Sequence, residues 1–366
     1  MIKIVSIATG VPSFKHKQED LFAFAEKIYC KDDTESRKLK FLYNHSGIEH
    51  RYSVVPDYNI AAADREFFPT TADLEPFPDI EQRMKLFNKH AAALSVTAIE
   101  DCIRGKISKH EITHLITVSC TGMSAPGIDL QVMELMGLSQ NIIRTSVNFM
   151  GCYAAVHALK IADAFCNSSK NANVVVVCTE LCTLHFQKNT SVDNMTSSLL
   201  FADGCAAMLI QGNDSRQKGI HVNNFFSDVS FKGKKDMAWE LSSKGFLMTL
   251  TGYVPDLIKE DFKVLVDKAL DTAGKKMEDI THWCIHPGGK KILESISSGL
   301  GIKNESLKYS YEVLNDYGNM SSPTILFVLK KILDEFEKGS SVKNNTIFGA
   351  AFGPGLTMET FIASYD

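Results

Sequence analysis

The chain has 366 residues, with 39 basic and 43 acidic side chains and a formal charge of −4. That length suggests two domains or one large duplicated one. Forty-five per cent hydrophobic and 22% charged residues exclude a disordered tail or a fibre. Near-balanced charge without a basic, aromatic-interleaved run argues against nucleic acid as a partner, and no apolar stretch reaches the roughly 18 residues a membrane helix needs.

The opening MIKIVSIATGVPS reads as a first strand rather than a signal peptide. Residues 53–84 hold Pro56, Pro69, Pro76 and Pro78 among many charges and read as an irregular surface excursion. Leu86 to Arg104 has helical spacing and stops at Gly105. Leu115 to Cys120 is a buried-strand run. Arg144 to Asn148 is strand-like, and the fifteen residues after Cys152 form an alanine-rich helix. Val174 to Cys178 reads as a central strand covered on both faces. Ala206 to Ile210 is another apolar run before the turn Gly212-Asn213-Asp214-Ser215, the best internal boundary, dividing 1–212 from 213–366. Beyond it come a strand at 220–226, a charged insert from Lys232 to Asp236, a helix at 255–273 and a strand at 281–286. Helices at 290–299 and 323–338 follow, then strands around Ile347 and Phe361. Strands alternating with helices imply an α/β fold with helices on the faces of buried sheets.

Nine dispersed cysteines without a CxxC pair read as free thiols in a reducing compartment, which implies a cytoplasmic protein. Most are small buried hydrophobes. Cys152 stands out because it follows Gly151 between a strand and a helix, where the positive end of the helix dipole lowers a thiol pKa. His286 ends the strand HWCIH and enters Pro287-Gly288-Gly289, well placed at a sheet's carboxyl edge. Asn319 lies in YGNMSSP, where Ser322 and Pro323 read as an N-cap with proline at N1. Phe352-Gly353-Pro354-Gly355 lets backbone approach a ligand. Each has a bland alternative: a packing cysteine, a turn-bonded histidine, a turn asparagine and a simple glycine turn.

In order, however, the blocks THLITVSCTGMSAPG, MGCYAAVHALK, VVVVCTELCTLHF, LLFADGCAAMLI, IHPGGKKILE, YGNMSSPTILFVL and FGPGLTMET resemble the type III polyketide synthases. These are the chalcone and stilbene synthase family of the thiolase superfamily. The resemblance covers most of the chain. Only 53–84 and 213–236 look individual, and Ala351 stands where the last block commonly has glycine.

The resemblance implies a thiolase-like, five-layered αβαβα fold made of two similar halves, and a homodimer. It implies a catalytic triad of Cys152, His286 and Asn319. The cysteine would carry the growing acyl chain as a thioester, with His286 at hydrogen-bonding distance and the thiolate held as an ion pair. His286 and Asn319 would stabilise the enolate made by decarboxylating malonyl-CoA. The Cys152 N–H, with one from the loop at Gly353 and Gly355, would serve the tetrahedral oxyanion. By matching, Phe201 and Met248 are gatekeepers, and Cys120, His185, Trp239 and Ser321 shape the pocket. Ala125 would reach a partner's site. Tryptophan at 239 resembles bacterial members and favours an aliphatic or other acyl starter over a flavonoid route. His45, Arg51, Lys290 and Lys291 would hold CoA phosphates as surface cations. CoA thioesters are substrates here; no metal or redox cofactor is implied, and an acyl carrier protein is not required. The implied activity loads an acyl-CoA starter, extends it iteratively with malonyl-CoA and cyclises it to a pyrone or resorcinol. Single-round condensation of the ketoacyl synthase III kind, a silent subunit of a condensing heterodimer and a thioester hydrolase remain as alternatives.

Overall fold

The computed structural model describes residues 1–339 and 345–366. Strands β1 (Ile2–Gly10), β4 (His114–Ser119), β5 (Ile143–Asn148), β6 (Asn173–Leu181) and β7 (Asp203–Gly212) form one half of a nine-stranded sheet, in the order β5-β4-β6-β7-β1. Strands β8 (Ile220–Val229), β11 (His282–Ile285), β12 (Thr346–Gly353) and β13 (Thr357–Tyr365) continue it as β8-β13-β12-β11. The halves repeat one pairing pattern. β4 and β6 are parallel, and β6, β7 and β1 then pair antiparallel. Likewise β11 and β12 are parallel, and β12, β13 and β8 pair antiparallel. The halves meet through three antiparallel pairs, Ile2↔Val222, Lys3↔His221 and Ile4↔Ile220.

Strand alternation sends neighbouring residues into two different cores. Val175 and Val177 of β6 join one apolar cluster, and Val174, Val176 and Cys178 join the other. The same split occurs in β12, with Phe348 and Ala350 on one side and Ile347 and Ala351 on the other. Helices α5 (Ala154–Ser168) and α10 (Thr324–Glu337) fill the second cluster between the two half-sheets. Ala154, Ala155, Ala158 and Ala162 are fully buried there; small side chains let a helix lie close between two sheets. Helices α3 (Ile80–Ile103) and α4 (Ile128–Met136) cover the outside of one half; α7 (Val254–Thr272) and α8 (Lys290–Leu300) cover the other. The layers therefore run αβαβα. Burying each valine of the β6 run contributes about 2 kcal/mol.

Helices α1 (Gln18–Tyr29), α2 (Asp33–Asn44), α6 (Val192–Leu200) and α9 (Lys308–Tyr317) pack around this frame. So do the ribbon β2 (Phe14–Lys17)/β3 (His50–Ser53) and the hairpin β9 (Met237–Ser242)/β10 (Gly245–Leu250).

Two sequence readings are corrected. The stretch 53–84 is irregular as far as Asp79, where a capping box with Gln82 opens α3, but it is not merely superficial. Tyr58 and Phe68 are buried against Phe24 and Phe186. Ser322 is not an N-cap, because its hydroxyl is spent on the buried carboxylate of Glu180 (2.7 Å) and α10 begins after Pro323.

Candidate active site

Cys152 sits at the start of α5, on a turn that only glycine permits. Gly151 has φ +82°, and a Cβ there would lie 2.3 Å from Pro354 Cδ. The Gly151 N–H donates to the Cys120 sulfur at 2.9 Å, tying the turn to the end of β4. His286 follows β11 and is locked by its backbone, whose N–H donates to the Ala350 carbonyl at 2.8 Å. Asn319 follows α9. Its N–H donates to the Leu200 carbonyl and its own carbonyl accepts from Ala202 N–H, both at 2.9 Å, which pins it beside Phe201. Its side-chain Oδ1 accepts from Ser321 N–H (2.8 Å), and Nδ2 donates one hydrogen to the Gly288 carbonyl (3.3 Å).

Cys152, His286 and Asn319 all line one cavity of about 620 Å³, with Cys120, Phe201 and Ser321 among its other walls. Trp239 and Met248 of the β9/β10 hairpin roof it; the indole Nε1 donates to the Cys120 carbonyl at 2.7 Å. The nucleophile thus comes from the first half and the other two groups from the second.

The electrostatics differ from expectation. Burial pushes the Cys152 thiol up to about 12; the Ser321 hydroxyl and the Asn319 amide draw it back, and the Glu180 carboxylate adds to the rise. Burial pushes the His286 imidazole down to about 3. Both His286 ring nitrogens are buried without a hydrogen-bond partner among the described residues. The anticipated His286–Cys152 hydrogen bond is therefore absent here. Desolvation disfavours the charged form of both groups.

The other expected residues scatter. Gly353 packs on Tyr153, where a Cβ would lie 2.4 Å from a ring carbon. Pro354 lines the cavity, whereas Gly353 and Gly355 do not. His185 does not reach the reaction cavity: its Nδ1 accepts from Phe246 N–H (3.0 Å) and its Nε2 donates to the Thr121 carbonyl (2.7 Å). Both nitrogens are thus spent on backbone, and its ring stacks on Phe246. Ala125 is exposed, away from this chain's own chamber. His45 and Lys291 are exposed and Lys290 half-exposed, its stem lying over Gly47. Arg51 is no surface cation. It is 4% exposed; its Nε donates to Gln18 Oε1 (3.0 Å), and its Nη1 to the carbonyls of Ser198 (2.8 Å) and Phe201 (2.5 Å).

Sequence reasoning missed Glu180. This fully buried carboxylate accepts from Cys120 N–H (2.8 Å), the Thr121 hydroxyl (2.8 Å) and the Ser322 hydroxyl (2.7 Å), and burial raises it to about 7. It braces the wall behind Cys152 from both halves. Its signal was a carboxylate at the end of an otherwise apolar strand, VVVVCTEL.

The model of the N-terminal domain of chalcone and stilbene synthases matches residues 1–215, and that of their C-terminal domain matches 226–364. The chain is 31% identical over 363 residues to the alpha-pyrone synthesis polyketide synthase-like Pks18 of Mycobacterium tuberculosis, covering 97% of this chain and 89% of that protein. Its fold is similar to that of PKS-I from the brown alga Ectocarpus siliculosus. The TM-score is 0.92 at 26% identity, covering 100% of this chain and 98% of that one. The C-terminal type III polyketide synthase domain of Steely1 from Dictyostelium gives 0.90 at 28% identity, covering 100% and 99%. With both halves matched and the curated relative aligned over nearly its whole length, this chain belongs to the chalcone and stilbene synthase family.

Proposed function

We propose that this chain, a type III polyketide synthase, carries its growing acyl chain on Cys152 and makes its carbon nucleophile against His286 and Asn319. The supporting observation is the convergence of these three groups on one buried cavity. In loading, the sulfur attacks the acyl-CoA carbonyl and the bond to CoA breaks. The thiol proton passes to the leaving CoA sulfur, with neutral His286 as carrier. In extension, malonyl-CoA loses CO2 and the released electron pair becomes an enolate. The unpartnered imidazole N–H of His286 and the second amide hydrogen of Asn319 stabilise the enolate oxygen without reorganising. The enolate carbon then attacks the Cys152 thioester; the new C–C bond forms as the C–S bond breaks, the electron pair leaves on the Cys152 sulfur, and that sulfur then takes the extended chain back from its CoA thioester, releasing CoA. Repeated rounds give a chain that cyclises to a pyrone or a resorcinol; likeness to a protein named for alpha-pyrone synthesis favours the pyrone.

The starter is an acyl-CoA, favouring aliphatic chains under Trp239 and Met248. His45, Lys290 and Lys291 are the cations offered to CoA phosphates, and no carrier protein is needed. Exposed Met123, Leu130, Leu135 and Ile143, on α4, β5 and the loop before α4, suit the contact with a second copy, the loop also carrying Ala125. No helix among the described residues is long and apolar enough to cross a membrane; a cytoplasmic site follows from the nine free thiols. The test is purified protein with malonyl-CoA and a panel of acyl-CoAs, read by mass spectrometry and CO2 release. Polyketides that incorporate the starter are expected. Free acid without malonyl-CoA consumption, or no product with any starter, refutes the reading.

A further inference from the structure

A second cavity, of about 660 Å³, adjoins the reaction chamber and shares Cys182, Phe201, Trp239 and Met248 with it. Neither loading nor enolate formation uses it. Its far wall is the inward face of the β2/β3 ribbon. In that register His16 pairs directly with Arg51, so their side chains are neighbours on one face. Both line the cavity, and both are more than nine-tenths buried.

The two residues are incompletely used. The His16 Nε2 lies 3.1 Å from the Val55 carbonyl and donates to it, which makes Nδ1 an acceptor. That Nδ1 is buried and makes no hydrogen bond of good geometry among the described residues, the Asn59 side chain being its polar neighbour. The bonds of Arg51 engage Nε and both Nη1 hydrogens, and the guanidinium also bonds the Tyr43 hydroxyl, which leaves one Nη2 hydrogen as the donor for the cavity. No carboxylate among the described residues lies within ion-pair distance of this guanidinium. A buried donor and a buried acceptor side by side are costly unless one group satisfies both.

We propose that the second cavity is a subsite for a hydroxyl at the distal end of the acyl starter, accepting from Arg51 and donating to His16. This rests on the reading of the chain as a synthase that loads acyl chains on Cys152. A methyl terminus leaves both groups unpaired. A carboxylate would satisfy Arg51 but would turn an oxygen lone pair toward that of Nδ1, on an imidazole that burial holds neutral. The wall and the subsite form one unit, since Arg51 holds the Phe201 carbonyl while the Phe201 side chain borders both cavities. A chain anchored on Cys152 reaches the ribbon by passing Phe201 and Met248.

The experiment compares kcat/KM for length-matched acyl-CoAs ending in hydroxyl, methyl or carboxyl, over a series of chain lengths. Wild type, His16→Phe and Arg51→Lys are compared. At the fitting length the hydroxyl should be preferred over methyl by at least about tenfold, as in sites built to pair a substrate hydroxyl. That ratio should collapse toward one in His16→Phe. Turnover of methyl-terminated starters reports on the synthase reading separately; no turnover with any acyl-CoA would refute that reading and the subsite with it. A wild-type ratio near one at every length, a preference for the carboxylate, or a ratio unchanged in His16→Phe would overturn the subsite alone. Should Arg51→Lys fail to fold, because Arg51 also holds two backbone carbonyls, the wild-type ratio and His16→Phe decide.

Discussion

Gly151→Ala is a direct probe of how the nucleophile is aimed. The backbone there has φ +82°, so any side chain adopts a left-handed conformation that costs roughly 1–2 kcal/mol. The new Cβ would lie 2.3 Å from Pro354 Cδ, against an ordinary contact of at least 3.4 Å. Proline is rigid, so the turn at 149–153 and the loop at 353–355 must part by about 1 Å. Such overpacking costs about 1–3 kcal/mol, for a total loss of about 2–5 kcal/mol. A displacement of about 1 Å at the reacting group costs on the order of 100-fold in rate. Urea unfolding should read the first effect and mass-spectrometric product formation the second. Malonyl-CoA decarboxylation, which needs His286 and Asn319 rather than the sulfur, should fall much less. Wild-type stability with undiminished product, or decarboxylation lost as completely as product, would refute the reasoning.

Cys152→Ala should abolish product yet leave measurable CO2 release, whereas Asn319→Ala should slow decarboxylation itself by about 100- to 1,000-fold; equal loss of both activities in both variants would contradict this division. Because burial raises the Cys152 thiol to about 12, its iodoacetamide alkylation in the free enzyme should climb about tenfold per pH unit through neutrality and past pH 9; a plateau below pH 8 would restore the resting ion pair. Glu180 is raised from 4.5 to about 7. Its protonated form therefore contributes stability that is complete below pH 4.5 and lost as pH rises to about 7, worth about 3 kcal/mol. Relative to Glu180→Gln, wild type should lose stability across that window; a difference independent of pH would disprove it.

The frame was legible because its central strands are largely apolar. A run such as VVVVC has one plausible place in a buried sheet, and the helices at 254–272, 290–300 and 324–337 carry clear apolar periodicity. The triad was legible from local blocks more than from chemistry, since each of its members had an adequate bland explanation. Three things were not legible. The thiol and imidazole pKa directions depend on burial beneath the β9/β10 hairpin, a stretch the sequence reading left without an element between the charged insert ending at Asp236 and the helix at 255–273. Arg51 matches the family's basic cluster together with His45, and a four-residue strand shows too little alternation to reveal that it faces inward. Ser322 looked like a helix cap because its partner, Glu180, lies 142 residues away.

The duplicated architecture has a consequence for the chemistry. Helices α5 and α10 hold the middle layer, and Cys152 and Ser321, just ahead of their first turns, line the same chamber. Duplication has therefore brought two amino-terminal poles to bear on one small volume. In that standing field each short-lived anion of the cycle, thiolate or enolate, arises where the backbone is already oriented to receive it.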